Sequence, residues 1–215
     1  MKDLLIVVST YNRRDLTGVT LDALSQTMSP CSDVIILDDA STEYDIDWLQ
    51  RWGFRVYRRF ATAGVGEAAR QRFLSFIVAA RQYRYACLLD NDLMFVPAFD
   101  QRLRELWLRV SASHKSNVIL TGYRSNTQTV VATPQPDWVE TETIGGACQF
   151  IDREAAYQVI TRMPAIWPHA WDALISKVGM RFVAPKCSWI EHLGVHGGGV
   201  NGISTDRAVL FGRNL

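Results

Sequence analysis

Apolar runs of strand length alternate with segments of helical period through the first half of the chain, and no other feature of the sequence constrains the fold as tightly. Residues 4–9 read as a strand, and 13–26 place Leu16, Val19, Ala23 and Leu24 on one helical face. A second strand at 34–37, a short helix carrying Ile46, Trp48, Leu49 and Trp52, and a third strand at 54–57 follow. Ala69, Phe73, Phe76, Ile77 and Ala80 then recur at helical spacing within 67–82, leading into a strand over 85–89. Strands that alternate with helices predict an α/β fold, a Rossmann-like and mostly parallel sheet covered by helices on both faces.

Beyond Pro97 the stripe Phe99, Leu103, Leu106, Trp107 and Val110 marks another helix, and residues 118–121 resume the sheet. Residues 127–138 are rich in Thr, Gln and Pro and lack helical period, which suits a hairpin or a mobile loop. A strand at 147–151 precedes Asp152, a good N-cap for a helix to Met163. A final helix over 172–178 ends at Gly179, and 182–184 and 188–190 read as short strands. With 215 residues, 48% of them hydrophobic, there is material for one sizeable core and little for two. A single domain over 1–215 is expected, with 1–95 and 96–215 as its halves.

A net charge of +1 with scattered arginines gives no electrostatic case for a polyanion partner. Cys31, Cys87, Cys148 and Cys187 form no C-x-x-C pair, and Cys87 and Cys148 fall in strand-like runs, so buried thiols are expected rather than ligands or bridges. The apolar start at 4–8 is too short for a signal peptide and is followed at once by polar residues. No apolar run approaches the roughly 18 residues of a membrane span. The default expectation is a soluble, cytoplasmic protein.

The chemistry gathers where strands end. The run over 85–89 ends on Asp90-Asn91-Asp92, the run over 34–37 ends on Asp38-Asp39, and the first strand ends on Thr10-Tyr11-Asn12-Arg13. In a parallel sheet these ends share one rim, so Tyr11, Asp38, Asp39, Asp90 and Asp92 would line one crevice. Two carboxylates two residues apart repel unless a cation or a donor-rich ligand offsets them, so the Asp90-Asn91-Asp92 triplet reads as a divalent-metal and diphosphate site. Carboxylates also accept from a base imide or a ribose hydroxyl, and an aromatic ring stacks on a base. At any single strand end, an ordinary cap or turn residue would explain the aspartate equally well.

Four motifs occur in a characteristic order: Val7-Val8-Ser9-Thr10-Tyr11-Asn12-Arg13, Leu37-Asp38-Asp39-Ala40-Ser41, Gly64-Val65-Gly66-Glu67-Ala68-Ala69-Arg70 and Asp90-Asn91-Asp92. In these the chain resembles the family 2 glycosyltransferases of the GT-A fold, closely over about the first hundred residues and more loosely to about His196. It departs at Ala40, where the family commonly has Gly, and at Gln71, where Asn often follows the Arg.

The resemblance implies a nucleoside diphosphate sugar donor, UDP-linked by preference, and a divalent metal, Mn²⁺ or Mg²⁺. It implies that Thr10, Tyr11 and the Asp38-Asp39 pair bind the nucleoside, with Asp39 at the base. Arg70 would sit near the diphosphate, where Gly64 and Gly66 let the backbone approach a ligand at a helix N-terminus. Asp92 would hold the metal, and Asp90 a ribose hydroxyl or a metal-bound water. Gly145 and Gly146 resemble the segment beside the donor sugar, although an ordinary glycine turn fits as well. Asp172 resembles the catalytic base of inverting members, with Trp171 where an acidic residue often stands; an N-terminal helix aspartate is the alternative. His192 resembles a third metal ligand, with His196 as runner-up and the glycines at 197–199 as a possible lid. The acceptor, whether glycan, small molecule, protein or nucleic acid, is not identified, and Trp138, Trp167 and Trp171 are open to either sugar stacking or core packing.

Three rivals stand beside this reading. A sugar nucleotidyltransferase would show a basic glycine-rich loop after the first strand, where this chain has no glycine until Gly18. A noncatalytic nucleotide-sugar-binding module would need no Asp172. A nucleic-acid-modifying transferase fits poorly with the near-neutral charge.

Overall fold

A computed structural model describes residues 2–79, 81–113, 117–131, 135–196 and 207–212. The first half runs β1 (Leu4–Thr10), α1 (Arg14–Thr27), β2 (Ser32–Asp38), α2 (Ile46–Gln50), β3 (Arg55–Arg58), α3 (Val65–Ala79), β4 (Tyr85–Leu89) and β5 (Leu93–Phe95). The second half runs α4 (Phe99–Ser113), β6 (Val118–Leu120), β7 (Trp138–Thr141), β8 (Cys148–Asp152), α5 (Arg153–Arg162), α6 (Trp171–Ile175), β9 (Arg181–Pro185) and β10 (Ile190–His192), closed by a 3₁₀ turn at Leu193–His196.

The main sheet has the order β3-β2-β1-β4-β8-β6-β9-β7, and β5 pairs with β10 in a separate ribbon. The β1–β2, β1–β4, β2–β3 and β6–β9 pairs are parallel, as expected. The β4–β8, β6–β8 and β7–β9 pairs are antiparallel, so the sheet is mixed and mostly parallel. Because β8 alone is reversed between β4 and β6, strands β6 and β9 run in the same direction as β1 and β4. Their carboxyl ends therefore share one rim.

Period-two alternation divides the core. Leu4, Ile6 and Val8 of β1 and Tyr85, Cys87 and Leu89 of β4 face one apolar layer with α1 and α4. Leu5, Val7, Ala86 and Leu88 face the other, with α3, α5 and α6. The predicted α4 stripe of Phe99, Leu103, Leu106, Trp107 and Val110 is buried as read. Asp152 caps α5, accepting from the Ala155 amide at 2.8 Å. The thiols of Cys87 and Cys148 are buried 3.8 Å apart.

The α1 face differs from the sequence reading. Val19 is exposed, and the buried positions are Thr17, Thr20, Leu21 and Leu24. The threonines bury because their hydroxyls have work inside. Thr17 accepts from Asn91 Nδ2 at 2.7 Å, and Thr20 accepts from the Leu93 amide at 2.8 Å, so α1 is stitched to the loop that follows β4. Within the segment expected as a hairpin or loop, the described residues on one side pair antiparallel with β7: Val131 donates to Glu140, and Val130 bridges Thr141. Among the described residues, no helix is long and apolar enough to cross a membrane.

Candidate active site

In the parallel register Thr10 sits opposite Asp38 and Val8 opposite Leu89, so β1, β2 and β4 end nearly level. The reversed β8 starts at that same rim, and the Asp90 amide donates to the Ala147 carbonyl at 3.1 Å. The ribbon adds the last component. His192 is opposite Leu93, and the Leu193 amide donates to the Asp92 carbonyl at 2.7 Å.

Three side chains meet at this point. One ligand atom from each of Asp90, Asp92 and His192 lies within 4.8 Å of the others. His192 Nε2 is 3.0 Å from Asp92 Oδ2. Asp92 Oδ1 is buried without a hydrogen-bond partner. An orphaned buried carboxylate oxygen beside a second carboxylate and an imidazole is a donor set that fits a divalent cation of the Mn²⁺ or Mg²⁺ type. His196 closes the 3₁₀ turn, but its side chain lies outside the described residues, as do the glycines at 197–199.

Two arginines neutralise these carboxylates. Arg13 Nη2 donates to Asp92 Oδ2 at 2.5 Å, and Arg72 Nη1 donates to Asp90 Oδ1 at 2.8 Å. Asn12 and Arg13 both adopt left-handed backbone, with φ of 51° and 61°. That conformation costs of order 1–3 kcal/mol per residue and persists only when neighbours enforce it. Here Asn12 Oδ1 accepts from the Thr42 and Glu43 amides, pinning the loop so that Arg13 turns across the rim. Gly194 completes the enclosure: a Cβ there would lie 2.0 Å from Asp92 Oδ2.

The electrostatics separate the two aspartates. Burial pushes Asp90 above the usual carboxylate range, with Asp92 adding to the rise and Arg72 and His192 opposing it. Asp92 is also pushed up by burial, but the hydrogen bond and charge of His192, together with Arg13, outweigh this and hold it below that range.

The Asp38-Asp39 pair, expected at the nucleoside, stands at the carboxyl end of β2 on this rim. Both carboxylates are buried and serve the protein itself. Asp38 accepts from Thr10 Oγ1 and from the Ser41 hydroxyl and amide, with Arg58 at 3.4 Å. Asp39 accepts from Thr62 Oγ1 and from the Ala63 and Gly64 amides, fixing the loop that opens α3. In this structure both carboxylates thus hold the neighbouring loops in shape. Thr10 is likewise buried, whereas Tyr11 is 45% exposed at the rim.

Arg70 and Arg72 lie on different sides of α3. The Arg70 guanidinium lies on Glu67, and it is Arg72 that reaches the acidic cluster. Two residues apart on an α-helix are turned by roughly 200°, so Arg70 and Arg72 point to opposite sides. Arg72 had an audible signal in the sequence, since it shares the helical face of Ala69, Phe73 and Phe76; an arginine on a buried stripe needs a buried partner. Gly66 also serves packing: a Cβ there would lie 2.1 Å from the Trp167 carbonyl oxygen, so the close approach is to protein, not to a ligand.

Gly145 faces open space, whereas a Cβ on Gly146 would lie 3.0 Å from the Trp171 ring and 3.6 Å from Asp90 Oδ2. Trp171 is buried, stacked on Trp167 and covered by the Arg72 guanidinium at 5.4 Å. Trp138, Trp167 and Trp171 are thus core residues. Asp172, next to Trp171 in α6, is partly exposed, and its Oδ1 accepts from the Ala173 amide at 2.9 Å.

A family model described as glycosyl transferase family 2 matches residues 5–165. No curated protein sequence matches the chain. Among solved structures, the chain is similar to GalNAc-T7 with UDP, GalNAc and Mn²⁺, at a TM-score of 0.69 and 13% identity over 89% of this chain and 44% of that one. It is similar to S. aureus TarS 1-349 in complex with UDP-GlcNAc, at 0.57 and 16% over 87% and 57%. It is also similar to the mannosyltransferase PcManGT from Pyrobaculum calidifontis in complex with GDP-Man and Mn²⁺, at 0.55 and 17% over 85% and 54%. At such identities the likeness is one of fold, and the chain spans about half the length of these proteins.

Proposed function

The chain belongs to glycosyl transferase family 2 and has the GT-A fold, and from this premise we propose that it moves a sugar from a nucleoside diphosphate sugar, UDP-linked by preference, to an acceptor nucleophile. The observation that carries this reading is the convergence of Asp90, Asp92 and His192 within 4.8 Å on a rim that also holds two arginines. These three side chains would hold Mn²⁺ or Mg²⁺. Bound there, the cation would offset charge developing on the departing diphosphate.

The chain's own residues supply the rest. Arg13 and Arg72 lie on the carboxylates and can turn part of their hydrogen-bonding capacity to diphosphate oxygens. The Tyr11 ring, exposed at the end of β1, would stack on the base, with Thr10, Asp38 and Asp39 beside it for the base and ribose. Asp90, with 34% of its side chain exposed, would accept from a ribose hydroxyl. Gly145 leaves open space, and Gly146 leaves room at Asp90, for the donor sugar. Asp172 takes the proton of the acceptor O–H as that oxygen bonds to the anomeric carbon. The bond from this carbon to the diphosphate oxygen breaks, its electron pair leaves with the diphosphate, and configuration inverts.

A second reading, a nucleotide-sugar-binding module without transfer, is favoured by one observation: Asp172 Oδ1 is engaged by its neighbour's amide. Calorimetric titration with a panel of nucleoside diphosphate sugars, with and without Mn²⁺, tests donor recognition. Binding of at least one, strengthened by Mn²⁺, is expected; binding of none in either condition overturns the proposal. Asp172→Asn should keep donor binding and lose about two to three orders of magnitude in turnover, in line with the removal of a general base. Unchanged turnover would remove Asp172 from the base role.

A further inference from the structure

A cavity of about 860 Å³ lies among residues of the second half and is lined by none of Asp90, Asp92 and His192. Arg102 and Arg109 of α4, Arg124 after β6 and Lys186 after β9 line it, against two carboxylates, Glu105 and Asp137. Asp137 is already taken by Arg109, whose Nη2 is 2.6 Å away. No carboxylate among the described residues pairs with Arg102, Arg124 or Lys186 within 4.0 Å. The Arg124 guanidinium is anchored by Nη1 on the Lys186 carbonyl at 2.9 Å, yet its Nε is buried with no hydrogen-bond partner. Arg102, Arg124 and Lys186 thus bring cationic donors to the cavity with no ion-paired carboxylate among the described residues to offset them. The volume is that of a small-molecule site, larger than a lone inorganic anion requires.

Its position gives the cavity a role. Since β6 and β9 run with β4, Arg124 and Lys186 sit on the same rim as Asp90. Trp189, which lines the cavity, stands three residues before His192, a span of roughly 10 Å along an extended strand. We propose that this cavity is an acceptor subsite for a phosphate-bearing molecule, whose nucleophile then lies toward the His192 end; this rests on the glycosyl-transfer reading. A phosphomonoester matches the excess of two cations, and guanidinium forks pair with its oxygens bidentately. A sugar carboxylate carries half that charge.

The test is residue-resolved NMR on the ¹⁵N-labelled protein titrated with glucose 6-phosphate, glucuronate or inorganic phosphate. Glucose 6-phosphate should shift the Arg124 and Lys186 amides and the Trp189 indole, at least tenfold more tightly than either other probe. Lys186→Glu, which alters a side chain with no ion-pair partner, should weaken this binding tenfold or more. Arg124→Gln should do the same, and either variant should leave UDP and Mn²⁺ shifts at 90–92 unchanged. No shifts in the cavity, shifts confined to 90–92, or equal affinity for glucuronate or inorganic phosphate would each overturn the proposal. Failure of the donor reading would show separately, as an absence of shifts at 90–92 with UDP and Mn²⁺.

Discussion

Replacing Arg72 by Met keeps a long flexible side chain over Trp171 but strips Asp90 of its counter-charge. Breaking a buried ion pair from one side costs about 3–5 kcal/mol. Two features of the structure reduce that figure. Arg72 Nε is itself buried without a partner, a burden of about 1–3 kcal/mol that Met removes. Asp90 is 34% exposed along its side chain, so water reaches the carboxylate that is left behind. The net expectation is a loss of about 2 kcal/mol. For a chain of this size each kcal/mol moves the midpoint by about 2–4 °C, so Tm should fall by roughly 4–8 °C. The assay is thermal unfolding of metal-free protein followed by circular dichroism at neutral pH. Arg72→Met/Asp90→Asn should recover most of the loss, because the double variant leaves no uncompensated charge. A single variant as stable as the wild type, or a double variant no better than the single, would refute the claim that Arg72 is held in the core by Asp90.

Two further outcomes follow from local geometry. Ala40 sits at φ 62°, the position where the family commonly has Gly, so Ala40→Gly should stabilise the protein by about 1 kcal/mol and raise Tm by roughly 2–4 °C; no change would mean the left-handed backbone is not strained. Asp92 has a folded pKa held below its unfolded value of about 3.9, so its contribution is fully present above that pH and is lost as pH falls through the folded value. In metal-free acid titration by circular dichroism, wild type should therefore exceed Asp92→Asn in stability at pH 6 and the gap should close below about pH 4; a gap independent of pH would contradict the assignment.

The parts of the fold that could be read from sequence are those in which a residue's type and its burial agree. The α4 stripe and the β1 and β4 runs are apolar and buried, so periodicity finds them. Thr17 and Thr20 escape that logic because they bury hydroxyls to satisfy Asn91 and the Leu93 amide, partners invisible until the loop after β4 is placed. Strand β5 is three residues long and gains its identity only from pairing with β10, which is also what carries His192 to Asp92. The aspartates at the ends of β2 and β4 do gather on one rim, but their orientation within it depends on donors far apart in the chain. Asp39 is claimed by backbone amides of the α3 loop, Asp92 by Arg13 from the end of the neighbouring β1. That Arg72, two residues beyond Arg70, reaches Asp90 is a matter of helical phase, which a motif read as a string does not carry.

The central claim is that Asp90, Asp92 and His192 form one cation site at the donor rim. Crystals grown with Mn²⁺ and UDP and measured at the manganese absorption edge test it directly. The account predicts one anomalous peak among Asp90, Asp92 and His192, bonded to these side chains at about 2.1–2.3 Å, with diphosphate oxygens completing the shell. A structure with UDP on the rim and no peak there, or with manganese bound only elsewhere, would contradict it.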